Sequence, residues 1–178
     1  MTTIADFKSK LAGGGARANQ FRISLVPPAL VAGGANAGRN LEFLCKTASL
    51  PASTVTDIPV YYRGRPVHVA GEREFQPWTI SVYNDTDFSI RDMFENWSHL
   101  MVNYNATDGQ PTPLAYQTDA TVFQLDRNGA VLKSYTFHDM FPLEIGAIQL
   151  DFEANNQVEM FDVTLQYNYF EPLRVTGA

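Results

Sequence analysis

Asp151 and Glu153 are the residues of this sequence whose types and spacing come nearest to chemistry. Two carboxylates at alternate positions of a β-strand share one face about 7 Å apart, a separation that suits a general acid/base pair. Nothing accompanies them in the sequence that would raise one carboxyl's pKa or bind a sugar. A small carboxylate-dependent hydrolase is therefore one reading, and a plain polar strand face is the other. Tyr61-Tyr62-Arg63-Gly64-Arg65 interleaves basic and aromatic side chains, as single-stranded nucleic-acid binders do. In an acidic chain, a projecting loop that docks on protein is the stronger reading. His68, His99 and His138 are scattered with no i, i+4 pair and no HExxH pattern, so no metal site is expected. Cys45 stands alone, which removes any intrachain disulfide or thiolate cluster and points to a reducing compartment. Gly13-Gly14-Gly15 is followed by neither Lys-Ser nor Lys-Thr and reads as a flexible arm rather than a phosphate loop. No catalytic residue, cofactor or metal is assigned.

The elements that must position these residues are mostly strands. Phe21, Ile23 and Leu25 alternate with Arg22 and Ser24, and Trp78, Ile80 and Val82 alternate with Thr79, Ser81 and Tyr83. Leu41, Phe43 and Cys45 form a third such row. Period-two alternation of this kind marks half-buried strands of an antiparallel sheet. Thr121 to Leu125 and Val131 to Phe137 flank Asn128-Gly129, and Asn and Gly tolerate the positive φ of a hairpin turn. Near the C-terminus, Ile148, Leu150 and Phe152 predict one strand, Ala154 to Gln157 a turn, and Phe161, Val163, Leu165, Tyr167 and Tyr169 a second strand. One segment predicts a helix. From Phe88 to Met101, Ile90, Phe94, Trp97 and Met101 recur at spacings of three and four, with Asp85 or Asp87 as cap. Pro27 to Gly38 and Asn103 to Thr118 predict loops.

The chain has 178 residues, enough for one domain with a sizeable core. Charged residues are 18% of it and the net charge is -6, which excludes intrinsic disorder and a strongly basic nucleic-acid binder. Twelve Phe accompany eight Tyr and two Trp in this charge-poor chain, and that combination points to surface buried against partners. Residues 1–73 carry +5, residues 74–138 carry -5 and residues 139–178 carry -6. Either the basic first third meets acidic surface on a neighbour, or the asymmetry is chance patterning on a solvated surface. The N-terminus has no long apolar stretch of a secretory signal, and no run approaches the roughly 18 apolar residues of a membrane helix. A soluble protein used without export through a membrane is expected.

Two ordered sets of residues resemble a known family. The first runs Phe43-Leu44-Cys45-Lys46, Leu50-Pro51-Ala52, Val55, Ile58-Pro59-Val60, Arg65, Val67, Val69-Ala70-Gly71-Glu72-Arg73, Phe75, Trp78-Thr79, Val82 and Asn84-Asp85. The second runs Phe141-Pro142, Ile145-Gly146, Leu150-Asp151-Phe152, Asn155-Asn156, Phe161-Asp162-Val163-Thr164-Leu165 and Tyr169-Phe170-Glu171. With Asn19-Gln20-Phe21 and the helix from Arg91 to Trp97, they cover well over half the chain. In this order they resemble the tail tube proteins of T-even-type contractile-tailed bacteriophages. The resemblance implies a mainly β fold of two roughly orthogonal antiparallel sheets with one flanking helix. It also implies a hexameric ring in which the sheets join into a continuous β-barrel, and rings that stack into a tube through which the genome is ejected. The implied partners are further copies of the chain, the sheath, baseplate and tail-terminator proteins, and double-stranded DNA in passage without specific binding. The place is the virion, after assembly in the host cytoplasm. An inner-tube subunit of a contractile injection or type VI secretion system is the alternative. The loop from Pro27 to Arg39 looks longer than the family's, and Asn103 to Gln117 match it poorly.

Within that frame the chain is one tail-tube domain over residues 1–178, with an N-terminal arm over about 1–18 and a projecting loop or hairpin over about 50–73. A conduit for DNA needs a polar to acidic wall, since a basic one would retain a polyanion. Gln149, Asp151, Glu153, Asp162, Thr164, Gln166 and Asn168 are the lumen candidates, with Phe152, Phe161, Val163, Leu165 and Tyr167 facing the core. Arg63, Gly64, Arg65 and Arg73 are the candidates for contact between rings, and the N-terminal arm and C-terminal tail are expected to add to it. Pairing strand edges around a ring would also remove an aggregation hazard.

Overall fold

The computed structural model describes residues 3–11, 15–106 and 108–174. Its elements run α1 (Ile4–Lys10), β1 (Phe21–Leu25), α2 (Gly34–Leu44), β2 (Cys45–Ala48), β3 (Ser53–Tyr62), β4 (Arg65–Phe75), β5 (Trp78–Tyr83), α3 (Ser89–Met101), α4 (Pro113–Tyr116), β6 (Thr118–Leu125), β7 (Val131–Ile145), β8 (Met160–Gln166) and β9 (Tyr169–Arg174). The fold is mainly β, as expected, with two antiparallel sheets. The main sheet is ordered β1-β6-β7-β8-β5-β2, with β9 also paired to β7, and β3 and β4 form a separate two-stranded ribbon.

Alternation works where it was read on β1, β5 and β8. Ile23, Leu25, Trp78, Ile80, Val82, Phe161, Val163 and Leu165 are all buried, and the residues between them point the other way. Each large side chain so buried contributes roughly 1.5–3 kcal/mol. Phe137 of β7 sits at the centre, its ring 4.6 Å from that of Trp78 and 4.8 Å from that of Tyr167. Both buried indoles have acceptors: Trp78 Nε1 donates to the Ser49 carbonyl at 2.8 Å and Trp97 Nε1 to that of Tyr116 at 2.6 Å.

Strand β7 belongs to both halves of the main sheet. Lys133 to His138 pair with β9 and, on the opposite edge, residues up to Met140 pair with β6; Phe141 to Ile145 then pair with β8. The change of partner is made at Asp139, whose φ is 57°. Its amide donates to Asp119 Oδ1 at 3.2 Å and its Oδ2 accepts from Asn168 Nδ2 at 2.9 Å, so both neighbouring segments fix the unusual backbone.

The predicted helix is α3, which starts at Ser89 rather than Phe88. Phe88 holds the N-cap position at φ 53°, and Asp85, three residues earlier, accepts from the Ser89 amide at 3.0 Å. Ile90, Met93, Phe94 and Trp97 form its buried face. A second helix, α2, stands where the sequence predicted a loop followed by a strand row. Gly34, Ala37, Gly38 and Leu41 are buried at helical spacing, whereas Phe43 is 82% exposed. The reason is close packing. A Cβ on Gly38 would lie 2.6 Å from the Leu25 carbonyl oxygen, so small residues of low helix propensity let α2 lie against the end of β1. Two short helices, α1 and α4, fall within the predicted arm and the predicted loop from Asn103.

Two turns differ from expectation. The Asp126 to Ala130 connection is a hairpin turn, but only Gly129 takes positive φ (83°), and Asp126 Oδ1 closes it by accepting from the amides of Asn128 and Ala130. The predicted strand over Ile148 to Phe152 is a loop over 146–159. The Gly146 amide donates to the Asp162 carbonyl at 2.7 Å, and β7–β8 pairing ends there. Asp151 Oδ1 then accepts from the Glu153 amide at 2.9 Å, a local bond that competes with extended pairing. Ile148 packs partly against the core, but Phe152 is fully exposed rather than inward-facing. Gly13 and Gly14, and the tail over 175–178, lie outside the described residues.

Candidate assembly surfaces

Helices α2 and α3 pack on the apolar face of the sheet, and the polar residues of β5 and β8 occupy the reverse face. There Asp162 stands opposite Ser81 and Thr164 opposite Thr79 on β5, and Gln166 pairs with Phe141 of β7. The Thr79 and Thr164 hydroxyls lie 3.1 Å apart, and Ser81 Oγ donates to Asp162 Oδ1. On the other side of β8, Glu144 is opposite Thr164. The same polar character continues across the sheet, where the Thr121 and Thr136 hydroxyls lie 3.2 Å apart. Asp162, Thr164 and Gln166, three of the seven lumen candidates, share one face of β8. Asn168 lies just past β8 and is engaged with Asp139. Gln149, Asp151 and Glu153 are on the 146–159 loop, not on a strand. Sequence reasoning missed Thr79, Ser81 and Glu144. The alternation of Thr79 and Ser81 was visible, but their place beside Thr164 and Asp162 depends on β5 pairing with β8, which local pattern does not reveal.

The second surface is the β3–β4 ribbon. Ile58 is opposite Val69 and Val60 opposite Val67, giving one apolar face, while Pro59 opposite His68 and Tyr61 opposite Pro66 make the other. These side chains are exposed, Tyr61 by 74%. A two-stranded hairpin alone is marginal in water. At the tip Arg63 (φ 48°) and Gly64 (φ 81°) both take positive φ, the two-residue turn whose twist suits a hairpin. The Arg63 guanidinium lies 5.4 Å from the centre of the Tyr62 ring and Arg65 opposes Tyr62. Arg73 is at the base, donating to Ser53 Oγ at 3.0 Å. The four contact candidates thus divide between tip and base of one ribbon.

The chemistry that the sequence left open does not assemble. Asp151 and Glu153 share no strand face, which removes the geometry the hydrolase reading required. Burial pushes the Cys45 thiol up to about 12, only partly offset by a backbone hydrogen bond from Thr47, so at neutral pH it is an inert thiol. His68 Nδ1 pairs with Asp57 at 2.6 Å and His138 Nδ1 with Asp119 at 3.0 Å. Among the described residues no three His, Cys, Asp or Glu side chains are grouped to hold a metal ion. No described helix is long and apolar enough to cross a membrane.

The profile of the phage tail tube protein family matches residues 16–172. The chain belongs to that family. It is 35% identical to the tail tube protein gp19 of Enterobacteria phage T4 over 135 residues, which is 75% of this chain and 83% of that one. It is 25% identical to the tail tube protein of Serratia phage KSP90 over 169 residues, 94% of this chain and 95% of that one. In fold it is similar to a chain of the sheath-tube complex of an extracellular contractile injection system in the extended state. There the TM-score is 0.56 and the identity 12%, over 98% of this chain and all of the other. Tail tube proteins are structural components of the virion, not enzymes, and this member is read accordingly. The family match begins at residue 16, so α1 lies outside it.

Proposed function

We propose that six copies of this tail tube protein close into a ring whose inner wall is the polar sheet face, and that stacked rings form the conduit for genome ejection. The observation that carries this reading is the two-sidedness of the main sheet: α2 and α3 are on one side, and Thr79, Ser81, Glu144, Asp162, Thr164 and Gln166 are on the other. A wall with hydroxyls, an amide and carboxylates but no lysine among these six repels a polyanion weakly and binds it nowhere. The ordered run of the main sheet ends in β1 and β2, and β9, paired only to β7, presents a further edge. Pairing such edges between copies would join the sheets into one barrel and remove aggregation-prone borders. The number six and the barrel rest on the resemblance to T-even-type tubes.

The β3–β4 ribbon is the stacking device in this reading, reaching an adjacent ring so that Ile58, Val60, Val67 and Val69 are covered, with Arg63, Gly64 and Arg65 at the point of contact. Sheath, baseplate and terminator proteins would then meet the outer and end surfaces. An injection-system tube would use the same fold, but the sequence relatives at 35% and 25% identity are phage tail tube proteins, and that favours DNA as the cargo. Negative-stain microscopy of the purified full chain at rising concentration tests the proposal. Six-fold rings and stacked tubes with a central channel are expected, and a monomer at every concentration would overturn it.

A further inference from the structure

Two unpartnered apolar features of this chain carry opposite charge. Helix α1 has no buried residue; Ile4 and Phe7 are 76% and 66% exposed, and Leu11, just past its end, is 46% exposed. At 3.6 residues per turn these three side chains fall within about 60° of arc, and Lys8 and Lys10 flank that stripe on either side. Asp6 lies on the far face. Its carboxylate accepts from the Thr3 amide and hydroxyl at 2.9 and 2.8 Å, completing a capping box that fixes the start of the helix. The helix is therefore formed and amphipathic, yet in the single chain its apolar stripe faces water.

The other feature is the 146–159 loop. It borders a half-open cavity of about 600 Å³ with the exposed side chains of Leu150, Phe152, Val158 and Met160 in its lining. A cavity of roughly 150 Å³ holds a benzene ring, so this one has room for a Phe and two aliphatic side chains. Asp151 and Glu159 are in its lining and Glu153 is on the same loop, which contains no Lys or Arg over residues 146–159. The Lys46 ammonium reaches the lining, 3.0 Å from Met160 Sδ. Burying apolar surface on both sides would supply the attraction, and the flanking charges would set partner and orientation more than strength.

We propose that α1 of one copy seats in the loop cavity of a neighbouring copy, with Ile4 and Phe7 entering among Leu150, Phe152, Val158 and Met160 and with Lys8 and Lys10 against Asp151 and Glu153. The contact is head-to-tail, so it propagates from copy to copy instead of closing on a pair. It rests on the ring and tube reading and gives the N-terminal arm a specific seat on its neighbour.

The test uses the full chain in a Cys45→Ser background. Phe7→Cys combined with Phe152→Cys is assembled, imaged by negative stain and then mildly oxidised. A ladder of covalent multimers on a denaturing gel is expected. Imaged tubes that give no ladder, or only an internally closed monomer, overturn the proposal. So does a ladder from Phe7→Cys with Val60→Cys in place of Phe152→Cys, which would put α1 on the β3–β4 ribbon. In a second arm, Lys8→Glu with Lys10→Glu raises the concentration needed for assembly about tenfold, and adding Asp151→Lys with Glu153→Lys restores it. Failure of that restoration counts against the contact. Absence of rings or tubes from the unmodified chain would instead defeat the tube reading itself, and this contact with it.

Discussion

Arg91 of α3 donates through Nη1 to the carbonyl of Gly146 at 3.0 Å, at the point where β7 leaves its pairing with β8. The same side chain meets Glu95 Oε1 at 2.7 Å and lies 5.3 Å from the centre of the Phe161 ring. One residue thus ties the helix to the end of the sheet and to the root of the 146–159 loop. Arg91→Ala is expected to cost about 1–3 kcal/mol, since it leaves a partly buried carbonyl without its donor. Urea unfolding would read this as a lower midpoint. Glu95→Gln, which keeps the Gly146 bond, should cost less than half as much.

Gly38→Ala sets two effects against each other. Alanine favours a helix interior by about 1 kcal/mol over glycine. The new Cβ would meet the Leu25 carbonyl oxygen at 2.6 Å, a backbone atom that cannot rotate away. Overpacking of this kind costs about 1–3 kcal/mol, so the variant is expected to be less stable despite its better helix propensity. A higher thermal midpoint for Gly38→Ala would show that α2 is free to move off β1.

Cys45 is expected to resist alkylation. With its thiol pushed up to about 12 from an ordinary value of 9.0, iodoacetamide at pH 8.5 should modify the folded chain at least about a hundredfold more slowly than the chain in urea. The sign for stability follows. The unfolded thiol loses its proton at lower pH than the folded one, so this contribution is intact below pH 9 and is lost as pH rises toward about 12. A Cys45→Ala variant should show a flatter decline of stability over that window.

Arg63→Glu with Arg65→Glu should leave folding alone and impair stacking. Exposed tip residues shift stability by no more than about 0.5 kcal/mol, so the thermal midpoint is expected to stay while tube length in micrographs falls. Full-length tubes from this double variant would remove the tip from the stacking contact.

Asp162→Lys with Thr164→Lys tests the wall. These side chains project from the polar face opposite Ser81 and Thr79. Tubes of the variant are expected to capture a short DNA duplex, with an affinity that falls as salt rises, whereas unmodified tubes release it. Equal retention by both would place the lumen on another surface.

How much of this was legible in the sequence depends on whether each residue's environment is local. Trp78, Ile80 and Val82, and Phe161, Val163 and Leu165, bury one face of strands whose polar partners face away, and alternation reports that directly. Helix α3 carries large apolar residues at helical spacing and was equally plain. Helix α2 was not, because its buried face is Gly34, Ala37, Gly38 and Leu41; small residues chosen for close approach look like a loop. The loop over 146–159 failed in the opposite sense. Ile148, Leu150 and Phe152 alternate, but a strand needs a partner, and β7–β8 pairing ends at Ile145 and Val163. The joining of Thr79 and Ser81 to Asp162 and Thr164 waited on long-range pairing.

Asp139, with its backbone at φ 57°, lets β7 pass from one half of the main sheet to the other without a break. The two halves are therefore not joined by a linker that could bend. A pull along β7 is resisted by its bonds to β6 and β9 over the first part of the strand and by those to β8 over the rest, so load in the proposed tube wall would pass between the halves through a continuous backbone.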